Sequence, residues 1–115
     1  MKRRSLQEPT ALILCAVADQ PRHGYAITQE VKEISDGRVT LRTGTLYSAL
    51  QRLLEDGQIE VHSEETVSGR ARRTYTLTPE GRATLTAEAE RLRATAVEAE
   101  RRLAAHRHGP KGAVA

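Results

Sequence analysis

The sequence predicts a mainly α protein with one small β-hairpin, arranged as a winged helix-turn-helix and followed by a long C-terminal dimerisation helix. Three observations carry that prediction. In TGTLYSALQRLLEDGQIEV (43–61), Leu46, Leu50, Leu53 and Leu54 recur at helical spacing, so one face turns toward a core. The opposite face carries Thr45, Tyr47, Ser48, Gln51 and Arg52, hydrogen-bonding side chains of the kind that fit a nucleic-acid groove. Two alternating segments follow, with Arg70, Arg72 and Arg73 around the turn between them. Beyond them, Leu and Ala repeat with a seven-residue period along an otherwise charged helix.

Each element has its own signal. A first helix is expected from Pro9-Thr10 to Ala18, because a proline early in a helix loses no needed N–H bond. Residues 19–22 read as a turn. A second helix starts around His23-Gly24-Tyr25 and buries Tyr25, Ile27, Val31 and Ile34, and Asp36-Gly37 stops it. Val39-Thr40-Leu41 is β-branched and alternating and reads as a short strand. The third helix spans Gly44 to Glu55. Strands are expected over Ile59–Thr66, with Ile59 and Val61 on one face, and over Arg72–Thr78, joined by a loop at residues 67–71. Thr78 is suited to cap the last helix and Pro79 to begin it. Gly81 stands where a capping box would have Glu or Gln. The chain thus divides into residues 1–78 (winged helix-turn-helix), 79–105 (C-terminal helix) and 106–115 (a disordered tail).

Composition sets bounds. The 115 residues suffice for one ordinary domain, and with neither Trp nor Phe the core must be aliphatic. Net charge is only +3, so charge placement matters more than its sum; the basic clusters are Lys2-Arg3-Arg4 and Arg70, Arg72, Arg73. Cys15 is the single cysteine, which excludes an intramolecular disulfide, and its apolar surroundings read as those of a buried structural thiol. The run TALILCAVA is too short to span a bilayer, so no membrane association and a cytoplasmic location are expected. No nucleophile–base grouping, metal-ligand spacing or Gly-rich phosphate loop appears. His106 and His108 read as tail residues, and no cofactor or catalytic site is expected.

The candidate DNA-contact set is Arg42, Thr43, Thr45, Tyr47, Ser48, Gln51, Arg52, Arg70, Arg72 and Arg73. Gln51 suits adenine, and Arg52 suits guanine or a phosphate. Thr43 and Thr45, with the free N–H groups of a helix start, suit a phosphate. Tyr47 is suited to a phosphate or sugar, or else packs against the second helix. Arg52 has Glu55 as an alternative partner. The three hairpin arginines would straddle the backbone or enter a minor groove. On the last helix, Leu85, Ala89, Leu92, Ala96, Ala99 and Leu103 form the candidate dimer seam.

Four stretches together resemble the PadR family of transcriptional regulators: His23-Gly24-Tyr25-Ala26-Ile27, Gly44-Thr45-Leu46-Tyr47-Ser48-Ala49-Leu50, Leu53-Leu54-Glu55-Asp56-Gly57-Gln58-Ile59, and Arg73-Thr74-Tyr75-Thr76-Leu77-Thr78-Pro79-Glu80-Gly81. The resemblance covers residues 6–85. It implies a winged-helix DNA-binding homodimer, in most members a repressor, with dimerisation through a single C-terminal helix as in the short subfamily. It further implies a recognition helix over Gly44–Arg52, a wing tip over Gly69–Arg73 and a structural role for His23-Gly24-Tyr25. The expected partners are a palindromic double-stranded operator, a second copy of the chain and a small-molecule effector of unspecified identity. The last helix has no aromatic residue to stack a planar effector. The alternative is a winged-helix protein-interaction module, to which Glu60, Glu64 and Glu65 lend weight because they would repel phosphates.

Overall fold

A computed structural model describes residues 6–108. The elements run α1 (Glu8–Ala16), β1 (Arg22–His23), α2 (Gly24–Ile34), α3 (Thr43–Glu55), β2 (Ile59–Val67), β3 (Arg70–Leu77) and α4 (Pro79–His108). The strands form one antiparallel sheet in the order β1-β3-β2. Leu12, Ile13, Leu14 and Val17 from the α1 region, Ile27 and Val31 of α2, and Leu46, Leu50 and Leu53 of α3 meet Ile59, Tyr75 and Leu77 of the sheet in a single aliphatic core.

Side chains tie the helix ends together. α1 ends earlier than expected, at Ala16, and Arg22 donates to the Ala16 carbonyl at 2.7 Å while also pairing with Asp19 at 2.8 Å. Arg82 reaches the Ala18 carbonyl at 3.4 Å, so two guanidinium groups serve the carbonyls at this terminus. His23 caps α2 by accepting the Ala26 N–H at its Nδ1, 3.4 Å away. Burial, reinforced by the nearby Arg72 charge, pushes the His23 pKa down, which favours the neutral ring that this cap requires.

Three local expectations are corrected. Tyr25 and Ile34 do not belong to the buried side of α2: they are 70% and 47% exposed. Tyr25 precedes Ile27 by two residues, about 200° around the helix, and Ile34 is the last helical residue, at the edge of the core. Val39–Leu41 is not a strand. The buried Ser35 accepts the Val39 N–H at 2.9 Å after a turn in which Asp36 and Gly37 take positive φ, and this fixes an irregular path along which Val39 and Leu41 pack against the core. The extra strand is instead Arg22–His23, at the junction of the expected turn and the expected start of the second helix, and it pairs with the free edge of β3 opposite Tyr75 and Thr74.

The α4 start is built by Thr78. Its hydroxyl accepts the Gly81 N–H at 2.9 Å and donates to the Gly57 carbonyl at 2.5 Å, while its backbone N–H donates to the Gln58 carbonyl at 3.1 Å. The expected cap is therefore present, and it also locks α4 onto the α3–β2 turn. Gly81 packs directly on that turn: a Cβ there would overlap the Gln58 carbonyl oxygen and lie 2.9 Å from its carbon. This close approach accounts for the missing capping-box side chain. α4 then continues through His108, past the expected end near Ala105, so residues 106–108 are helical rather than tail; the rest of the expected tail, residues 109–115, lies outside the described residues, as does Lys2-Arg3-Arg4.

About two and a half turns along α4, the buried Glu88 accepts the Leu6 N–H at 3.3 Å and pairs with Arg91 at 2.5 Å. The hydrogen bond and charge of Arg91 hold its pKa below the usual carboxylate range. A carboxylate with a depressed folded-state pKa adds stability above its unfolded-state value, about 4.3, and that contribution disappears as pH falls through the folded-state value. Glu88→Gln is therefore expected to lower the urea midpoint at pH 7 and to approach the parent at the acid end. The check is a pair of midpoint-against-pH curves that stay apart above the unfolded-state value of about 4.3 and close only as pH falls through the lower folded-state value.

Candidate nucleic-acid interface

α3 presents its polar face to solvent. Arg42, Thr43, Thr45, Tyr47, Ser48, Gln51 and Arg52 are all exposed, whereas Leu46, Ala49, Leu50 and Leu53 are buried behind them. No side chain caps the helix start, and the first helical bond runs from the Leu46 N–H to the Arg42 carbonyl at 2.9 Å. Nothing lies within 4 Å of where a Gly44 Cβ would be, so this terminus is open to an incoming group. Gln51 donates to Glu55 at 3.1 Å. The carboxylate considered as a partner for Arg52 thus holds Gln51 instead, and Arg52 forms no ion pair among the described residues.

Tyr47 is anchored at one end and open at the other. Its hydroxyl end is seated over Gly24 at the start of α2, where a Cβ would overlap the hydroxyl and lie 2.9 Å from Cζ. The ring is nonetheless 48% exposed. Gly24 is therefore the structural counterpart of Tyr47, a pairing with no trace in local sequence because 23 positions separate the two residues.

The hairpin is tighter than a loop at residues 67–71. β2 and β3 are joined by Ser68-Gly69 alone, with φ of 53° and 78°. Positive φ at both central residues is the geometry that matches the twist of a two-residue hairpin. Consequently Arg70, Arg72 and Arg73 all lie within β3 rather than partly in a loop. The register sets Glu65 opposite Arg72 and Glu64 opposite Arg73, and both pairs close, at 3.4 Å and 3.3 Å. Arg70 has no such partner among the described residues. A bulge at His62 shifts the register between Val61 and Ser63. Ile59 and Val61 lie opposite the buried Leu77 and Tyr75, but Val61 is exposed because the sheet leaves the core there.

Between α3 and the hairpin lies an open cleft of about 770 Å³. All three tyrosines of the chain, Tyr25, Tyr47 and Tyr75, line it together with Gln51 and the three hairpin arginines. The cleft thus gathers five of the ten sequence-derived contact residues, Tyr47, Gln51, Arg70, Arg72 and Arg73, whereas Thr45, Ser48 and Arg52 line a separate hollow between α3 and α1. Glu64 and Gly24 also line the cleft; sequence reasoning left both out of the contact set.

On α4, Leu85 packs against the core of its own domain. Farther along, Ala89, Leu92, Ala96, Ala99 and Leu103 are exposed, Leu92 at 52% and Leu103 at 71%. The described residues contain no group of three or more His, Cys, Asp or Glu able to hold a metal ion, and no helix among them is long and apolar enough to cross a membrane. His106 lies on the last turns of α4 rather than in a tail.

The family model described as the transcriptional regulator PadR-like family matches residues 13–87. Transcriptional regulator Rv3488 of Mycobacterium tuberculosis is 43% identical over 86 residues, covering 75% of this chain and 77% of that protein. A 37.1 kDa protein in transposon TN4556 of Streptomyces fradiae is 46% identical over 81 residues, a match that takes 70% of this chain but only 22% of the longer relative. Among solved structures, a PadR family transcription regulator from Clostridium difficile R20291 superposes with a TM-score of 0.71 at 28% identity, covering 84% of this chain and 99% of that one. Bacillus subtilis PadR, solved in complex with operator DNA, shares the fold with a TM-score of 0.62 at 24% identity, covering 70% of this chain and 46% of that one. With the winged-helix fold and the matched motifs in agreement, the chain belongs to the PadR-like family of transcriptional regulators, which are not enzymes.

Proposed function

We propose that this regulator binds a palindromic operator as a cytoplasmic homodimer and represses transcription. Residues 1–78 form the DNA-binding unit, and the α4 helix over 79–105 forms the dimerisation unit. The observation that carries this reading is the exposed polar face of α3, open at its start and flanked across one cleft by the hairpin arginines. Thr43, Thr45 and the uncapped N–H groups take a phosphate, with Arg42 beside them. Ser48, Gln51 and Arg52 face base edges, Tyr47 packs a sugar or phosphate, and Arg70, Arg72 and Arg73 engage the backbone beside the recognition helix. The exposed seam of Ala89, Leu92, Ala96, Ala99 and Leu103 pairs with its copy and spaces the two α3 helices for half-sites about 34–36 Å apart. A small-molecule effector would release the operator by changing the angle between the paired units. The solved Bacillus subtilis relative on operator DNA supports the first part of this reading.

The test is a gel shift on the region upstream of the chain's own gene, followed by a panel of single-base variants. Gln51→Ala is expected to abolish discrimination at one base pair per half-site, a loss of about tenfold or more for a bidentate contact. Affinity elsewhere should change little. A uniform loss across the panel would reassign Gln51 to the backbone. The protein-interaction alternative draws on the paired state of Arg72 and Arg73, and it predicts no shift at all.

A further inference from the structure

The hairpin from Ile59 to Leu77 contains three arginines and three glutamates, so the element expected to grip a polyanion is formally neutral. Two of the three arginines are held by cross-strand carboxylates, Arg72 by Glu65 and Arg73 by Glu64. Both pairs are about half exposed, so a phosphate can reach and replace either carboxylate. Exposed pairs of this kind add little stability, roughly 0–1 kcal/mol, which makes fold stabilisation a poor account of two adjacent ones. Glu60 lies on the same strand, opposite Thr76, and forms no ion pair among the described residues.

Resting on the DNA-binding reading above, we propose that Glu64 and Glu65 are built-in competitors for phosphate that hold the hairpin arginines back from duplex of any sequence and so set the overall affinity for DNA. Binding without sequence preference is driven almost wholly by cation–phosphate contacts and counterion release. A carboxylate already bound to each guanidinium competes with the phosphate, and once displaced it stands next to the DNA backbone and repels it. Arg70, without a carboxylate opposite it, supplies the unopposed contact. A duplex that also satisfies the α3 face gains base contacts that do not depend on the hairpin charge. The two glutamates therefore lower affinity for every duplex by a common factor: the ratio between operator and random duplex is unchanged, but random sequence, which has no base contacts to add, falls to negligible occupancy at a concentration that still fills the operator.

The experiment is a fluorescence-anisotropy titration over a salt series with an operator duplex and a scrambled duplex, using the parent, Glu64→Gln/Glu65→Gln and Glu60→Gln. The double variant is expected to bind both duplexes at least tenfold more tightly at low salt, with the ratio between them little changed. Its log K against log salt should steepen by up to about 1.8, the value for two additional phosphate contacts. Glu60→Gln, which removes a charge without freeing an arginine, should produce less than half of either change. An unchanged double variant, or a Glu60→Gln variant with at least half its effect, overturns the proposal and leaves the DNA-binding reading standing. A parent that binds neither duplex overturns that reading first, and the proposal with it. Unfolding midpoints for the three proteins should coincide, which separates a binding effect from a folding one.

Discussion

Gly81→Ala is expected to lower the thermal midpoint by about 10 °C, more than any conservative change elsewhere on α4, on the basis of about 2 kcal/mol for overpacking and the usual midpoint shift for a domain of this size. The obstacle is backbone: the new methyl would overlap the Gln58 carbonyl oxygen, and Leu77 Cδ2 closes the third side at 3.1 Å. A carbonyl held by the Thr78 N–H cannot swing aside as a flexible side chain would. α4 must therefore lift from the α3–β2 turn, which also strains the Thr78 cap that bridges Gly57 and Gly81. Thr78→Val, which keeps the shape and loses the hydroxyl, should cost about 1 kcal/mol by comparison. Differential scanning of the two variants beside the parent checks the order. A Gly81→Ala midpoint within about 2 °C of the parent would mean that the turn yields easily.

Leu92→Asp/Leu103→Asp is expected to yield a folded monomer that has lost tight operator binding. Both side chains are largely exposed in the single chain, so a carboxylate at either position disturbs no core. Opposite a second copy, the same carboxylates would be buried without partners. Loss of the linkage between two half-sites removes an effective-concentration advantage of about 10²–10⁴. Leu85→Asp is the instructive contrast: because Leu85 packs against its own core, that change should lower stability first. Sedimentation equilibrium on the double variant decides the matter, and a variant that stays dimeric moves the seam to another surface.

Much of this architecture was legible in sequence because periodicity records burial. Leu46, Leu50 and Leu53 repeat every three or four residues, and that spacing alone separates the buried from the exposed face of α3. Thr78-Pro79 marks a helix start by the chemistry of its own side chains. What escaped depends on contacts between distant segments. Two residues at Arg22–His23 have no periodicity, and they become a strand only because β3 leaves an edge free. Tyr25 is apolar enough to suggest burial, but its place at the α2 start turns it to the cleft instead.

The hairpin shows how a small error at a turn changes the chemistry. A five-residue loop at 67–71 would set Thr66 opposite Arg72, which leaves Glu64 facing Thr74. With the two-residue turn, Thr66 faces Ala71 and each of Glu64 and Glu65 faces an arginine. A shift of one position in a ladder reassigns every cross-strand pair. Two of the three glutamates that appeared in sequence as a reason against DNA, Glu64 and Glu65, are in the folded hairpin the counter-ions of arginines that favour it. Gly24 and Gly81 likewise acquire their meaning from what is packed against them, a tyrosine ring and a carbonyl.

The property on which every proposed contact depends is that α3 and the hairpin together read a particular duplex. It is tested most directly by the ratio of two dissociation constants, measured at one salt concentration, for the upstream duplex of the chain's own gene and for a scrambled duplex of the same length and composition. Preference for the upstream duplex by about 10³ or more is expected, the lower range for specific DNA-binding proteins. Equal affinities for the two duplexes would contradict it.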